Sequence, residues 1–90
     1  NKEGNIMTKP FILEGDSIEI NTDSINGYIK VEILDQNENK LASSKTYRGY
    51  DNIRLNPKWK DYENLNNFKG RKIRLKFTLM NSKIFSFKIS

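Results

Sequence analysis

The sequence contains no cysteine and no histidine. Without cysteine there is no disulfide bridge and no thiol nucleophile, which argues against a small eukaryotic secreted scaffold; the cytosol and bacterial export without oxidative folding both remain open. Without histidine the chain lacks the commonest metal ligand and the commonest general base. Its carboxylates fall in predicted turns or on polar strand faces, among lysine and asparagine residues. We therefore expect a non-catalytic chain with no cofactor.

Long hydrophobic runs are absent as well. No apolar stretch approaches the roughly 18 residues that a membrane helix requires, and no signal peptide begins the chain, so we expect no membrane span. Because the first residue is Asn1 rather than methionine, we expect a processed protein or a piece of a longer one. Ninety residues support one domain, and the hydrophobic 36% are concentrated in periodic runs, as in a globular chain.

Alternation of apolar and polar residues is the strongest structural signal. In the segment 71–79 every second residue from Ile73 onward is apolar, and charged or hydroxyl residues lie between them. Only an extended strand places alternate side chains on opposite faces, so this segment is predicted to be a half-buried strand. After a short break the alternation resumes at Phe85, Phe87 and Ile89, which predicts a hairpin.

Shorter strands and turns are predicted in the rest of the chain. Residues 1–9 are mostly polar and are expected to form a linker or N-terminal connector, followed by one domain over residues 10–90. Asn26-Gly27 precedes a strong strand pattern and favours a tight hairpin turn with positive φ. The segment 61–68 is predicted to form one helical turn over an open end of the core.

Six to eight short strands without a long helix are typical of an all-β fold. We predict a two-sheet antiparallel β-sandwich of the jelly-roll or immunoglobulin-like kind. The chain also has eleven isoleucines and nine phenylalanine or tyrosine residues, which favour strands. The predicted core consists of the inward strand positions Ile18, Ile20, Ile29, Val31, Ile33, Ile73, Leu75, Phe77, Leu79, Phe85 and Phe87.

One segment of the sequence partly matches a metal-binding motif. The segment 35–39 begins like an EF-hand loop, but Lys40 replaces the required glycine and Thr46 replaces the bidentate acid. No EF-hand site is therefore predicted. A calcium site of another kind, built from Asp16, Asp23 or Asp51, stays open on the sequence alone.

Basic residues cluster near the C-terminus and contribute to a net charge of +5. The cluster is made up of Lys69, Arg71, Lys72, Arg74 and Lys76, with Lys88 expected to join it from the partner strand. Stacking aromatics on the same face are missing, so no nucleic-acid partner is predicted. Solvated lysines are the favoured interpretation, and an acidic polysaccharide would suit the cluster as well as a nucleic acid would.

Aromatic residues are dense between positions 47 and 62. Sugar sites use aromatic faces together with polar groups that bind hydroxyls, which makes this segment a candidate carbohydrate-binding region. In the alternative, the tryptophan caps the core and the tyrosines pack partly under loops. The candidate carbohydrate-binding residues are Tyr50, Arg54, Trp59 and Tyr62.

A series of short segments, in order and at matching spacing, covers most of residues 8–89. It consists of Thr8 to Phe11, Glu14 to Asp16, Ile18 to Ser24, Gly27 to Asp35, Leu65, Lys69 to Phe77 and Ile84 to Phe87. This series resembles the C-terminal β-sandwich module attached to β-propeller proteins of the glycosidase type in secreted bacterial polypeptides. The chain departs from that module at 40–50, which is shorter and more polar than the usual loop.

The resemblance implies a bacterial accessory domain that is secreted, at the cell surface or periplasmic. Its expected partner is the neighbouring catalytic domain of a glycoside hydrolase-like chain, which it would pack against or support. The alternative is a carbohydrate-binding module that contacts polysaccharide through surface aromatics. An exposed apolar patch would favour the packing function, and an exposed aromatic platform would favour the binding function.

Overall fold

The computed structural model describes residues 3–49 and 53–90, and these ranges contain nine strands and a single 3₁₀ turn. The strands are β1 (Gly4–Met7), β2 (Phe11–Ile12), β3 (Ile18–Asp23), β4 (Tyr28–Asp35), β5 (Lys40–Ser43), β6 (Tyr47–Arg48), β7 (Ile53–Leu55), β8 (Lys72–Met80) and β9 (Lys83–Ile89). The 3₁₀ turn is Asn66–Phe68. Tyr50, a candidate carbohydrate-binding residue, and Asp51, a candidate calcium ligand, lie outside the described ranges.

Two antiparallel sheets form the domain, which confirms the predicted β-sandwich. The larger sheet has the order β1-β8-β4-β5, with β2 also paired to β8 and β6 also paired to β4. The smaller sheet has the order β7-β3-β9. The long strands β4 and β8 lie side by side at the centre of the larger sheet, in register from Tyr28 opposite Met80 to Asp35 opposite Ile73.

The core lies between the sheets and follows the predicted alternation closely. Eight of the predicted core residues are buried, namely Ile18, Ile20, Ile29, Val31, Ile33, Ile73, Leu75 and Phe77. Leu79 is half-buried against them. The predicted turn at 61–68 also contributes, because Leu65 and Phe68 are buried and close one end of the core.

The predicted hairpin of the last two strands is wrong. β8 belongs to the larger sheet and β9 pairs with β3 in the smaller one, so residues 81 and 82 cross between the sheets. A bulge in β9 then takes Phe85 out of the alternation: Asn21 pairs with Ser86 and Thr22 pairs with Ile84. Phe85 is consequently 56% exposed rather than buried.

Phe87 was also expected in the core and is 37% exposed. It lies opposite Ile20, on the inner side of the smaller sheet, and its ring centroid is 5.6 Å from that of Phe77. β9 is an edge strand, however, so no further strand of the smaller sheet covers this ring. The periodicity identified the inward face correctly but could not show that the strand would lie at an edge.

Two further expectations are corrected near the ends of the long strands. Part of the expected connector at 1–9 forms β1, which pairs with β8 so that Ile6 lies opposite Phe77. Gly27 does not adopt positive φ, and its turn joins strands of different sheets rather than a hairpin. A Cβ at position 27 would lie 1.6 Å from the carbonyl oxygen of Met80, so close backbone approach explains this glycine.

Candidate functional site

Trp59 and Tyr62, two of the candidate carbohydrate-binding aromatics, do not present a shared exposed surface. Trp59 is only 7% exposed and belongs to the core, where it forms a β-bridge with Ser44. Tyr62 is half-buried and packs edge-on against Phe68, with ring centroids 5.0 Å apart. A sugar needs an accessible ring face, so these two rings cannot act as a shared platform. The structure therefore favours the alternative in which Trp59 caps the core.

The remaining two candidates lie elsewhere. Arg54 is exposed on β7, and its Nε lies 3.5 Å from Oε1 of Glu19 on the outer face of the smaller sheet. Tyr50 lies outside the described residues. Carbohydrate binding through these four residues stays a prediction, but Trp59 and Tyr62 do not form the shared surface of exposed rings on which it was based.

A polar depression occupies the outer face of the larger sheet. Its volume is about 450 Å³. We use the term polar depression for the surface lined by Glu3, Asn5, Tyr28, Lys30, Glu32, Thr46, Arg48, Lys76 and Thr78. Its floor comes from the outward positions of β4 and β8, because those positions alternate with the core residues of the same strands.

Tyr28 is the single aromatic residue of the polar depression and is fixed on two sides. Its hydroxyl donates a hydrogen bond to Oε2 of Glu3, and the guanidinium carbon of Arg48 lies 4.8 Å from the ring centroid. The hydrogen bond to Glu3 raises the pKa of the Tyr28 hydroxyl above its ordinary value, with desolvation and the charge of Glu3 acting in the same direction. Arg48 opposes this shift. The hydroxyl therefore stays protonated as a donor.

The charges of the polar depression are unevenly paired. Glu32 lies 4.0 Å from the amines of both Lys30 and Lys40. By contrast, Arg48 and Lys76 form no ion pair with any carboxylate in the described ranges. Arg48 stacks on Tyr28 and Lys76 lies opposite Glu32, but neither cation is within ion-pair distance of a carboxylate among the described residues.

The predicted basic cluster is divided between different surfaces. Arg74 donates from Nε to the carbonyl oxygen of Gln36 at 3.2 Å and contacts that of Thr8 at 3.5 Å, so it ties neighbouring loops to β8. Lys88 does not join the cluster, since it lies on the smaller sheet, 3.6 Å from Glu19. Lys76 alone of the cluster lines the polar depression.

A second surface is apolar and lies at the edges β1 and β9. We call it the open edge and define it by Ile6, Phe85 and Phe87. Ile6 is 49% exposed although it lies opposite buried Phe77, which also contacts the ring of Phe87. Ile6 and Phe87 thus continue the core at an edge that the described residues leave uncovered, and Phe85 is exposed on the same strand as Phe87.

The carboxylate of Asp35 has a structural role. Its Oδ1 accepts the backbone N–H groups of Asn37 and Asn39 at 2.8 and 2.9 Å, and its Oδ2 accepts from the Asn39 side chain at 3.0 Å. These bonds, chiefly the one from the Asn39 backbone, hold the pKa of Asp35 below its usual range. The segment that begins like a calcium loop is therefore a turn closed by its own aspartate.

Residues 3–49 and 53–90 contain no group of three or more metal-ligating side chains placed to share an ion. None of the helical structure in those ranges has the length and apolar character that a membrane crossing requires. No family model matches the sequence, and no curated protein or solved structure matches it significantly.

Sequence reasoning missed both the polar depression and the open edge. The outward positions of β4 and β8 were visible as charged and hydroxyl residues, but their lateral pairing was not, because it depends on register between distant segments. The open edge could not be predicted either, because it depends on β1 pairing with β8 at the edge of the sheet. Residues 4–7 carry only two apolar side chains and gave no strand signal.

Proposed function

We propose that this chain is a non-catalytic accessory domain that packs through its open edge against the neighbouring catalytic domain of a secreted, bacterial, glycoside hydrolase-like polypeptide. The observation that carries the packing role is the exposure of Ile6 and Phe87, which lie beside the core residue Phe77, together with the exposure of Phe85 on β9. The sequence resemblance supports the identity of the parent protein. The packing role and the parent protein both imply a companion domain that is not itself catalytic.

Apolar exposure alone is common on protein surfaces, but its position here is informative. Large apolar side chains that continue a core but stay uncovered are typical of surfaces on which another protein element packs. β1 and β9 are each at the edge of a sheet, and Phe77, which lies opposite Ile6 of β1, contacts the ring of Phe87 on β9. Such edges are normally protected, and a neighbouring domain would cover them.

The position of β1 supports a partner within the same polypeptide. This strand begins at Gly4, so a domain fused before residue 1 would lie beside the open edge. A short connection would make the contact intramolecular, and the high effective concentration would allow a small patch to suffice. Interfaces between domains of one chain are of this modest and partly polar kind.

Substitution at the open edge tests the proposal in the longer polypeptide. We expect Ile6→Ser with Phe85→Ser to expose the connection to limited proteolysis and to separate the thermal unfolding of the two domains. The matched control is Ile25→Ser, because Ile25 is similarly exposed, at 52%, but lies in the turn between β3 and β4. Equal protease sensitivity in both variants would contradict packing through the open edge.

A further inference from the structure

The polar depression has the size of a small-ligand site. Its volume of about 450 Å³ lies within the usual range of roughly 300–1,000 Å³ for ligand pockets. Its floor is formed by side chains of β4 and β8, the two longest strands, and its sides come from β1, β6 and the residues that immediately precede them. A site on strands is held more rigidly than one on loops, which reduces the ordering cost of binding.

The charges of this surface favour an anion. Glu3 accepts the Tyr28 hydroxyl, and Glu32 lies within reach of two lysines, so both carboxylates already have partners. Arg48 and Lys76 have no carboxylate partner in the part of the chain that the structure describes. Arg48 lies opposite Tyr28 and Lys76 lies opposite Glu32, four residues further along β4, so each cation would pair with a different ligand carboxylate. Such charge-assisted hydrogen bonds are about twice as strong as neutral ones.

The uncharged groups favour a hydroxylated ligand. Asn5, Thr46 and Thr78 bring amide and hydroxyl groups to the same surface, and Thr78 Oγ1 donates to Asn5 Oδ1 at 3.1 Å. These groups can both donate to and accept from sugar hydroxyls. Single-stranded nucleic acid is less well matched, because it requires several stacking rings, and Arg48 already stacks on the ring of Tyr28.

We propose that the polar depression binds an acidic oligosaccharide, with Arg48 and Lys76 pairing with uronate carboxylates and the neighbouring amide and hydroxyl groups contacting ring hydroxyls. This site differs from the predicted aromatic platform in both position and chemistry. It lies on the outer face of the larger sheet, whereas Ile6 and Phe87 of the open edge continue the inner face. Binding can therefore succeed or fail independently of domain packing.

Nuclear magnetic resonance titration of the whole chain tests the proposal directly. We expect tetragalacturonate to cause saturable amide shifts in β4 and β8 around Lys30 and Lys76, with a dissociation constant of about 10 µM to 1 mM. Cellotetraose, inorganic phosphate and a (dT)₄ oligonucleotide serve as the neutral, simple-anion and nucleic-acid probes. No saturable shifts with tetragalacturonate, or shifts of equal strength with any of the three other probes, would overturn the proposal.

A pair of charge-matched variants locates the site. Arg48→Gln with Lys76→Gln should weaken tetragalacturonate binding roughly tenfold or more, because two charge-assisted contacts are removed. Lys83→Gln with Lys88→Gln is the control, since it also removes two positive charges, from exposed positions of β9 in the opposite sheet. An equal loss in both variants would show that only net charge matters and would overturn the assignment of this site.

Discussion

The two lateral sides of the sandwich are built differently. On one side, which we call the closed edge, the segment 58–60 pairs with the end of β5: Lys60 N–H donates to the Ser43 carbonyl at 3.0 Å, and Lys45 N–H donates to that of Lys58 at 3.2 Å. Trp59 is buried beneath this junction. On the other side lies the open edge, where no backbone hydrogen bond joins β1 to β9 in the described ranges.

Under the proposed packing function, the two sides of the sandwich have different roles. At the closed edge, backbone hydrogen bonds join the end of β5 to the segment that follows β7, and the ring of Trp59 fills the space between the sheets. The open edge leaves Phe87 and Ile6 at the limit of the core, where burial within this chain is incomplete. Stability should therefore depend mainly on the closed edge, and association mainly on the open edge.

The largest expected effect is on the closed edge. Trp59→Ala should lower the free energy of unfolding by about 3–5 kcal/mol, because a buried tryptophan leaves a large cavity. Phe85→Ala, at the open edge, should lower it by about 0.5 kcal/mol or less, as exposed positions do. Urea unfolding of the two variants measures both values. Similar losses would mean that the two edges contribute equally to stability.

A smaller effect is expected from the hydroxyl group of Ser44. It accepts the N–H of Val31 at 2.9 Å and donates to the carbonyl of Lys45 at 2.8 Å, and the residue is fully buried. Ser44→Ala should cost about 1–3 kcal/mol, since a buried donor and acceptor lose their partner. Ser86→Ala, at an exposed position of β9, is the control and should be nearly neutral. Urea unfolding again supplies the comparison, and a neutral Ser44→Ala would contradict this role.

The smallest effect concerns pH and the turn that leads into β5. Because the pKa of Asp35 is lowered in the folded state, its contribution to stability is fully present above the ordinary aspartate value of about 3.9. It is lost as the pH falls below that value and through the lowered pKa. Asp35→Asn should therefore flatten the decline of stability below pH 4, as measured by thermal unfolding between pH 2 and 6. An unchanged decline would show that the carboxylate does not close the turn.

The sequence predicted which side chains of a strand face the core better than it predicted which strands pair with each other. Alternation placed Ile29 and Leu75 in the core because inward and outward residues differ in chemistry along each strand. It could not predict that β9 joins the smaller sheet, because pairing depends on distant register and on a bulge at Phe85. Trp59 illustrates the same limit, since an amphipathic aromatic beside turn residues suits either a core or a surface.

Hydrogen exchange in the isolated chain and in the longer polypeptide tests the central claim most directly. Amide protection at a covered edge rises because a packed neighbour suppresses local opening. We predict slower exchange in β1 and β9 within the longer polypeptide, with unchanged exchange at the closed edge around Ser44 and Trp59. Identical exchange of β1 and β9 in both forms would contradict the claim that the open edge is a packing surface.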